Sequence, residues 1–217
     1  MKRLVVVSAG LSVPSSTRLL ADLLGEAAEQ ALGARGDEVD LTYLELRPLA
    51  HALADHLLTG FPTGELAEAL ERVKRADGLI VVTPVFSASY SGLFKTFFDV
   101  LETGALDGTP VLIAATAGSA RHSLVLDHAL RPLFAYLHAV VVPTGVFAAS
   151  EDFGEAATGG SADLHKRIER AAAELAALVD VTGPAPAAPR RLVEDEFEHP
   201  TDFAELLRRA SDGPPQY

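Results

Sequence analysis

Residues 4–32 read LVVVSAGLSVPSSTRLLADLLGEAAEQAL and contain a strand, a loop and a helix in succession. The three consecutive valines within Leu4–Ser8 are typical of a strand that is buried on both faces of a sheet. Apolar residues at helical spacing predict an amphipathic helix over residues 17–32. A buried strand that leads directly into a helix favours an α/β fold with a parallel sheet.

The same alternation of strand and helix continues to about Val181. Further strands are predicted at residues 39–46, 79–83, 111–116 and 139–146, and further helices at residues 66–76, 91–101, 123–137 and 162–179. Five such strands predict a flavodoxin-like three-layer sandwich, in which a five-stranded parallel sheet of order 2-1-3-4-5 has helices on both faces.

We expect two regions in the chain. Residues 1–181 form the flavodoxin-like domain, and residues 182–217 form a C-terminal tail that begins with the Pro/Ala linker TGPAPAAP (182–189). The tail is charged and has one amphipathic patch around Phe203, Leu206 and Leu207. Two interpretations remain open: the tail docks on a neighbouring surface, or it stays mobile.

Composition excludes several classes of function. The chain of 217 residues is long enough to fold around its own core, and it has no cysteine for disulfides, Cys-ligated zinc, iron–sulfur clusters or thiol catalysis. Its net charge of −12 disfavours nucleic acid and anionic membranes as partners. No apolar stretch is long enough to span a bilayer, and we expect a cytoplasmic protein.

Ligands of doubly wound sheets bind beyond the carboxyl ends of the strands, so the first candidate is the loop Ser8–Arg18. This loop has neither the GxGxxG pattern of dinucleotide sites nor the GK[ST] of a P-loop. Its hydroxyl groups at a helix N-terminus instead suit a phosphate monoester. The alternative is that Ser15 or Ser16 only caps the helix.

Two further loops follow the predicted strands at 79–83 and 111–116. Residues 83–92 (TPVFSASYSG) combine a proline, aromatic rings and small residues, a composition that can flank a flat ring. We assign Phe94, Phe97 and Phe98, which come just after this loop, to the core. In Thr116–Ala120, Gly118 lets the backbone approach a ligand closely, although an ordinary turn explains the loop equally well.

A proline lies inside the predicted helix 123–137. Pro132 has no N–H to donate to the carbonyl of His128, which predicts a kink or a π-bulge around His128. The seven histidines form no HxxxH or HExxH pair, so we predict no metal site. The absence of GxSxG disfavours a serine hydrolase, and the absence of acidic residues after the first strand disfavours a phospho-receiver domain.

Three segments together resemble the NADPH-dependent FMN reductase family, close to the FMN reductases associated with alkanesulfonate monooxygenases. They are SAGLSVPSSTRLL (8–20), ADGLIVVTPVFSASYSGLFKTFFDVL (76–101) and TAGSARHSLVLDHALRPLFAYLHAVVVPTGVFA (116–148). The resemblance covers roughly residues 1–180, and its most specific part is the TPVFSASYSG block with the LFKT that follows.

The resemblance implies the flavin-binding residues. The loop that holds the FMN phosphate contains Ser8, Gly10, Ser15, Ser16 and Thr17. The segment against the isoalloxazine is Pro84, Val85, Phe86 and Ser87, and the segment at the ring edge and ribityl chain is Thr116, Ala117, Gly118 and Ser119. No catalytic side chain is implied, because the flavin itself accepts the hydride.

This sequence departs from the family's pattern at three positions. Gly10 stands where many members have serine, and Phe86 where tyrosine is common. His128 falls where some relatives carry a tyrosine at a π-helical insertion in the oligomer interface, so it is a candidate modulator of flavin handling.

The implied activity is hydride transfer from NAD(P)H to FMN. The reduced FMN would pass to a separate flavin-dependent monooxygenase, and the resemblance implies a homodimer or homotetramer. Two alternatives stay open: a quinone or azo reductase that retains FMN tightly, and a non-enzymatic flavin carrier. The preference between NADH and NADPH is also open, because no arginine pair is identifiable as a phosphate clamp.

Overall fold

The computed structural model describes residues 1–153 and 161–181. Within them a seven-stranded sheet has the order β2-β1-β3-β5-β6, with β7 also paired to β5 and β4 paired to β3. All pairings are parallel except β3 with β4. The strands are β1 Lys2–Ser8, β2 Val39–Glu45, β3 Gly78–Phe86, β4 Ser89–Tyr90, β5 Pro110–Ala117, β6 Val140–Val141 and β7 Val146–Ala149.

Helices cover both faces of this sheet. Helices α1 and α6 pack on one face, and α2 to α5 contribute to the apolar cluster on the other. Their bounds are α1 Ser16–Gly33, α2 Ala50–Thr59, α3 Gly64–Lys74, α4 Gly92–Asp99, α5 Arg131–Tyr136 and α6 Ala162–Val181. Among these described helices, none combines the length and the apolar character that crossing a bilayer requires.

The flavodoxin-like three-layer fold predicted from the sequence is confirmed, but the strand count is not. The sheet has seven strands rather than five. The predicted last strand, 139–146, is divided into β6 and β7, which both run along β5 and are separated by Pro143, a residue without an N–H to donate. The second addition is β4, which forms a short hairpin with the end of β3.

The central strands are buried on both faces, as their sequences predicted. In β1, Val5 and Val7 belong to the core under α2 to α5, while Leu4 and Val6 belong to the core under α1 and α6. Burial of each such side chain contributes about 1.5–3 kcal/mol. This rigid pair of cores fixes the loops at the carboxyl edge of the sheet.

The predicted phenylalanine cluster and the predicted helix distortion are both confirmed. Phe94, Phe97 and Phe98 are almost fully buried. A π-helical turn spans Leu126–Leu130, just before Pro132. Residues 154–160 and 182–217, and with them the tail predicted from the sequence, lie outside the described part of the chain.

Candidate functional site

The three loops selected from the sequence come together at one edge of the sheet. They follow β1, β3 and β5, and β3 lies between the other two. The register pairs Ser8 with Val82 and Pro84 with Thr116, so the three strands end at the same edge, and β3 extends to Phe86, beyond the end of β1. A ligand at this edge would contact all three loops.

The loop after β1 folds back onto the N-terminus of α1. Ser15 is the N-cap residue, and its Oγ accepts a hydrogen bond from the backbone N–H of Arg18 at 3.2 Å. The capping role considered for Ser15 is therefore observed. The first N–H groups of a helix have no intrahelical acceptor, so this end of α1 keeps donors for an anion, and Ser16 lies exposed beside them.

Gly10 is required by the way this loop closes. A Cβ at Gly10 would overlap the Oγ of Ser15 and would lie 3.3 Å from the Cβ of both Ser15 and Thr17. A serine at this position, common in the resembling family, would therefore displace the capping side chain. Position 10 therefore has no side chain because the hydroxyl of Ser15 occupies that space.

The hydroxyls of Thr17 and Thr116 join the first and third loops. Both residues are buried, and their Oγ1 atoms lie 2.8 Å apart although the residues are 99 positions apart in the chain. Each hydroxyl has one donor and two acceptor positions, so the pair retains capacity for a ligand. Thr17 and Thr116 were selected separately, and no sequence pattern indicates that they pair.

The loop after β3 is a hairpin. Strand β3 continues to Phe86, and the chain turns at Ser87 (φ 47°) and Ala88 (φ 65°) into β4. Two positive φ angles are the geometry of a type I′ turn, which neither of these residue types favours. The turn holds Phe86 about half exposed at the tip of the hairpin. Such strain at a ligand-binding edge is typical of functional loops.

The buried hydroxyls of Thr83 and Ser91 anchor this hairpin. Neither was predicted as a site residue from the sequence. The Oγ1 of Thr83 accepts a hydrogen bond from the N–H of Ser91 at 3.0 Å. The Oγ of Ser91 in turn accepts from the N–H of Phe94 at 3.2 Å and caps α4. The signal for the cap was present, because serine at a predicted helix start is a preferred N-cap.

The loop after β5 is open. Thr116 is buried at the end of the strand, whereas Gly118 is exposed and a Cβ built on it would meet nothing within 4 Å. Ser119 is extended, with φ −153°.

The electrostatics of this edge differ from those of the whole protein. The chain has 30 acidic residues, yet residues 4–21, 78–98 and 108–126, which build the edge, contain none. The three loops therefore add no negative charge of their own to a protein whose net charge is −12.

The arginine nearest the first loop is already neutralised. The guanidinium of Arg18 lies 5.0 Å from the ring centroid of Tyr43, its Nε is 2.7 Å from Asp22, and it also pairs with Glu45. Partial burial opposes its charge, but the hydrogen bond to Asp22 and both carboxylates raise the pKa of Arg18 above its usual value. An anion in the first loop would be held by hydroxyl and N–H groups.

Comparison with known proteins identifies the family. Residues 2–154 match the sequence model described as NADPH-dependent FMN reductase. The chain belongs to the NADPH-dependent FMN reductase family. It is similar to the FMN reductase (NADPH) of Pseudomonas aeruginosa, with 41% identity over 151 residues that cover 70% of this chain and 78% of that protein. The NADH-dependent FMN reductase SfnE of Pseudomonas putida is 43% identical over 173 residues, covering 77% and 87%.

Solved structures agree with this assignment. An oxidoreductase from Corynebacterium diphtheriae is 55% identical, with a TM-score of 0.79, and the match covers 84% of this chain and 99% of that one. The apo form of the NADH:FMN oxidoreductase EmoB is 30% identical, with a TM-score of 0.70, covering 86% and 92%.

This NADPH-dependent FMN reductase family member uses FMN and NAD(P)H as its nucleotides. The edge described above fits FMN: it has a helix N-terminus for the phosphate, an aromatic hairpin and an open, acid-free loop. The assignment of individual contacts to the residues from Ser8 to Thr17, Pro84 to Ser87 and Thr116 to Ser119 stays a prediction.

Proposed function

We propose that this NAD(P)H-dependent FMN reductase releases reduced FMN to a separate flavin-dependent monooxygenase in the cytoplasm. The observation that carries the proposal is the way the first loop would hold the phosphate. Arg18, the arginine within the loop, is paired with Asp22 and Glu45, so its charge is not free to fix the phosphate. Hydroxyl and N–H groups hold a phosphate less strongly than a free guanidinium does, which favours a flavin that exchanges over one that is retained.

In this proposal each loop has a distinct task. The N–H groups at the start of α1, with the hydroxyls of Ser15 and Thr17, bind the phosphate. The hairpin places Phe86 beside the isoalloxazine and fixes the orientation of the ring. When bound, FMN supplies the hydride acceptor.

The third loop supplies the electrostatic contribution. Backbone N–H groups at Gly118 and Ser119 would stabilise negative charge at the edge of a flavin bound beside them. Fixed amide dipoles perform this task without a proton-donating side chain. This agrees with the absence of aspartate and glutamate from residues 108–126.

The phosphate assignment is tested by the double variant Ser15→Ala/Thr17→Val. Hydrogen bonds to a charged group are worth about 1.5–3 kcal/mol each, so the loss of both should weaken FMN binding by about 100-fold or more. Riboflavin, which has no phosphate, is the matched control ligand, and its dissociation constant should stay near the wild-type value. Fluorescence quenching measures both. An unchanged FMN affinity would remove the phosphate from this loop.

We also propose that the protein is a homodimer or homotetramer and that the face near the π-helical turn forms the contact. Tyr136 is 82% exposed there, and it lines a groove with His128, Pro132 and Leu133. Light scattering coupled to gel filtration should show at least twice the 22.9 kDa mass of the chain. Tyr136→Ser should lower that mass, whereas a wild-type monomer contradicts the proposal.

A further inference from the structure

The lysines and arginines of the described residues are almost all engaged. Most form ion pairs with carboxylates, and Lys2 donates to the carbonyl oxygen of Val179 at 3.0 Å. Within residues 1–153 and 161–181, only the side chains of Arg47 and Arg121 have no hydrogen bond or ion pair among the lysines and arginines. Both follow strands at the carboxyl edge of the sheet, Arg47 after β2 and Arg121 after β5.

Arg121 is unpaired because its surroundings in the chain offer no carboxylate. It lies in the exposed turn Ala120–His122, two residues after Ser119, in the acid-free stretch 108–126. The residues four positions before and after it are Ala117 and Val125. An exposed guanidinium with no ion-pair partner in the described part of the chain creates a local positive potential on an otherwise acidic protein.

We propose that Arg121 binds a phosphate group of the nicotinamide dinucleotide. The inference rests on the flavin site proposed above. There the FMN phosphate lies after β1, and β3 separates this strand from β5. Adjacent strands lie 4.7–4.9 Å apart, so the proposed site of the FMN phosphate is about 10 Å to one side of the loop that leads to Arg121.

The dinucleotide reaches the site from the other end of the flavin. A nicotinamide stacked on the isoalloxazine would lie between the hairpin and the third loop. The phosphates of the dinucleotide would then lie outside the ring, where a long side chain on the third loop could hold them. The planar fork of a guanidinium binds a phosphate through two parallel hydrogen bonds.

The test compares Arg121→Gln with Arg121→Lys and with the charge control Arg75→Gln. Arg75 is also exposed, but it follows α3, near the start of β3, and pairs with Glu71. Calorimetric titration of FMN-saturated protein with NAD⁺ and with NADP⁺ measures binding without turnover. We expect Arg121→Gln to raise the dissociation constant about 10- to 100-fold, Arg121→Lys to lie between it and wild type, and Arg75→Gln to match wild type.

The two nucleotides distinguish the two sources of phosphate. An effect on both assigns Arg121 to the pyrophosphate, and an effect on NADP⁺ alone assigns it to the 2′-phosphate; each supports the proposal. Equal affinities for Arg121→Gln and wild type would overturn it. So would a loss of FMN affinity in Arg121→Gln, since Arg121 would then serve the flavin. Whether the proposed flavin site itself is wrong is tested separately, by the FMN affinity of Ser15→Ala/Thr17→Val.

Discussion

The substitution Gly10→Ala probes the coupling between the first loop and the cap of α1. The new Cβ would overlap the Oγ of Ser15, so this hydroxyl has to rotate and give up its bond to the N–H of Arg18. Loss of an N-cap costs about 1 kcal/mol. Replacement of glycine by alanine at a compatible backbone position returns about 0.4–1 kcal/mol through the unfolded state. Gly10→Ala alone should therefore change stability little.

The double-mutant cycle with Ser15→Ala makes the effect visible. In the Ser15→Ala background there is no hydroxyl to displace and no cap to lose, and only the 3.3 Å contacts with the Cβ atoms at positions 15 and 17 remain, so Gly10→Ala should be about 1 kcal/mol less costly there than in the wild type. The coupling between the two sites then equals the cap, about 1 kcal/mol. Urea unfolding of the four proteins measures it. A coupling energy near zero would refute the link between Gly10 and the cap.

Three further predictions concern stability and the flavin. Gly78→Ala places a Cβ 2.7 Å from Val179 Cγ2 and should cost about 1–3 kcal/mol in urea unfolding. Burial alone would raise the pKa of Asp77, but hydrogen bonds from Arg3 lower it below 3.8. The ionised Asp77 therefore stabilises the fold above pH 3.8, and this stabilisation is lost on acidification. Asp77→Asn should flatten the decline in stability below about pH 4, and an unchanged decline would contradict this assignment. Gly118→Ala should leave the melting temperature unchanged, because its Cβ meets nothing within 4 Å, but should weaken FMN binding in a fluorescence titration; unchanged binding would place the flavin farther from this loop.

The sequence predicted those elements whose signal is local. Consecutive valines identified β1, and apolar spacing identified α1. Pro132 predicted the π-helical turn, because a missing N–H has a consequence only a few residues away. For the same reason the three candidate loops were placed correctly once the strand order was predicted.

Helix α2 was missed although its sequence carries a helical pattern, with apolar residues at Ala50, Leu53, Ala54, Leu57 and Leu58. Among them only Leu53 is fully buried, while Leu57 and Leu58 are 58% and 88% exposed. The hairpin after β3 was missed for another reason, since Ser87 and Ala88 are not the residues that a type I′ turn favours.

The contact between Thr17 and Thr116 could not be predicted from one sequence. Each residue was selected for its own loop, and nothing local indicates that two hydroxyls 99 positions apart are 2.8 Å from each other. The neutralisation of Arg18 by Glu45 is of the same kind. Such contacts depend on the packing of the whole sheet.

The rate of NAD(P)H oxidation by the purified protein, freed of flavin by gel filtration, tests most directly whether the protein reduces FMN and releases it. We expect a colourless protein with no oxidation until FMN is added, and a rate that saturates with FMN. A yellow protein that keeps its flavin through gel filtration, and that oxidises NAD(P)H only when a quinone or azo dye is added, would contradict it.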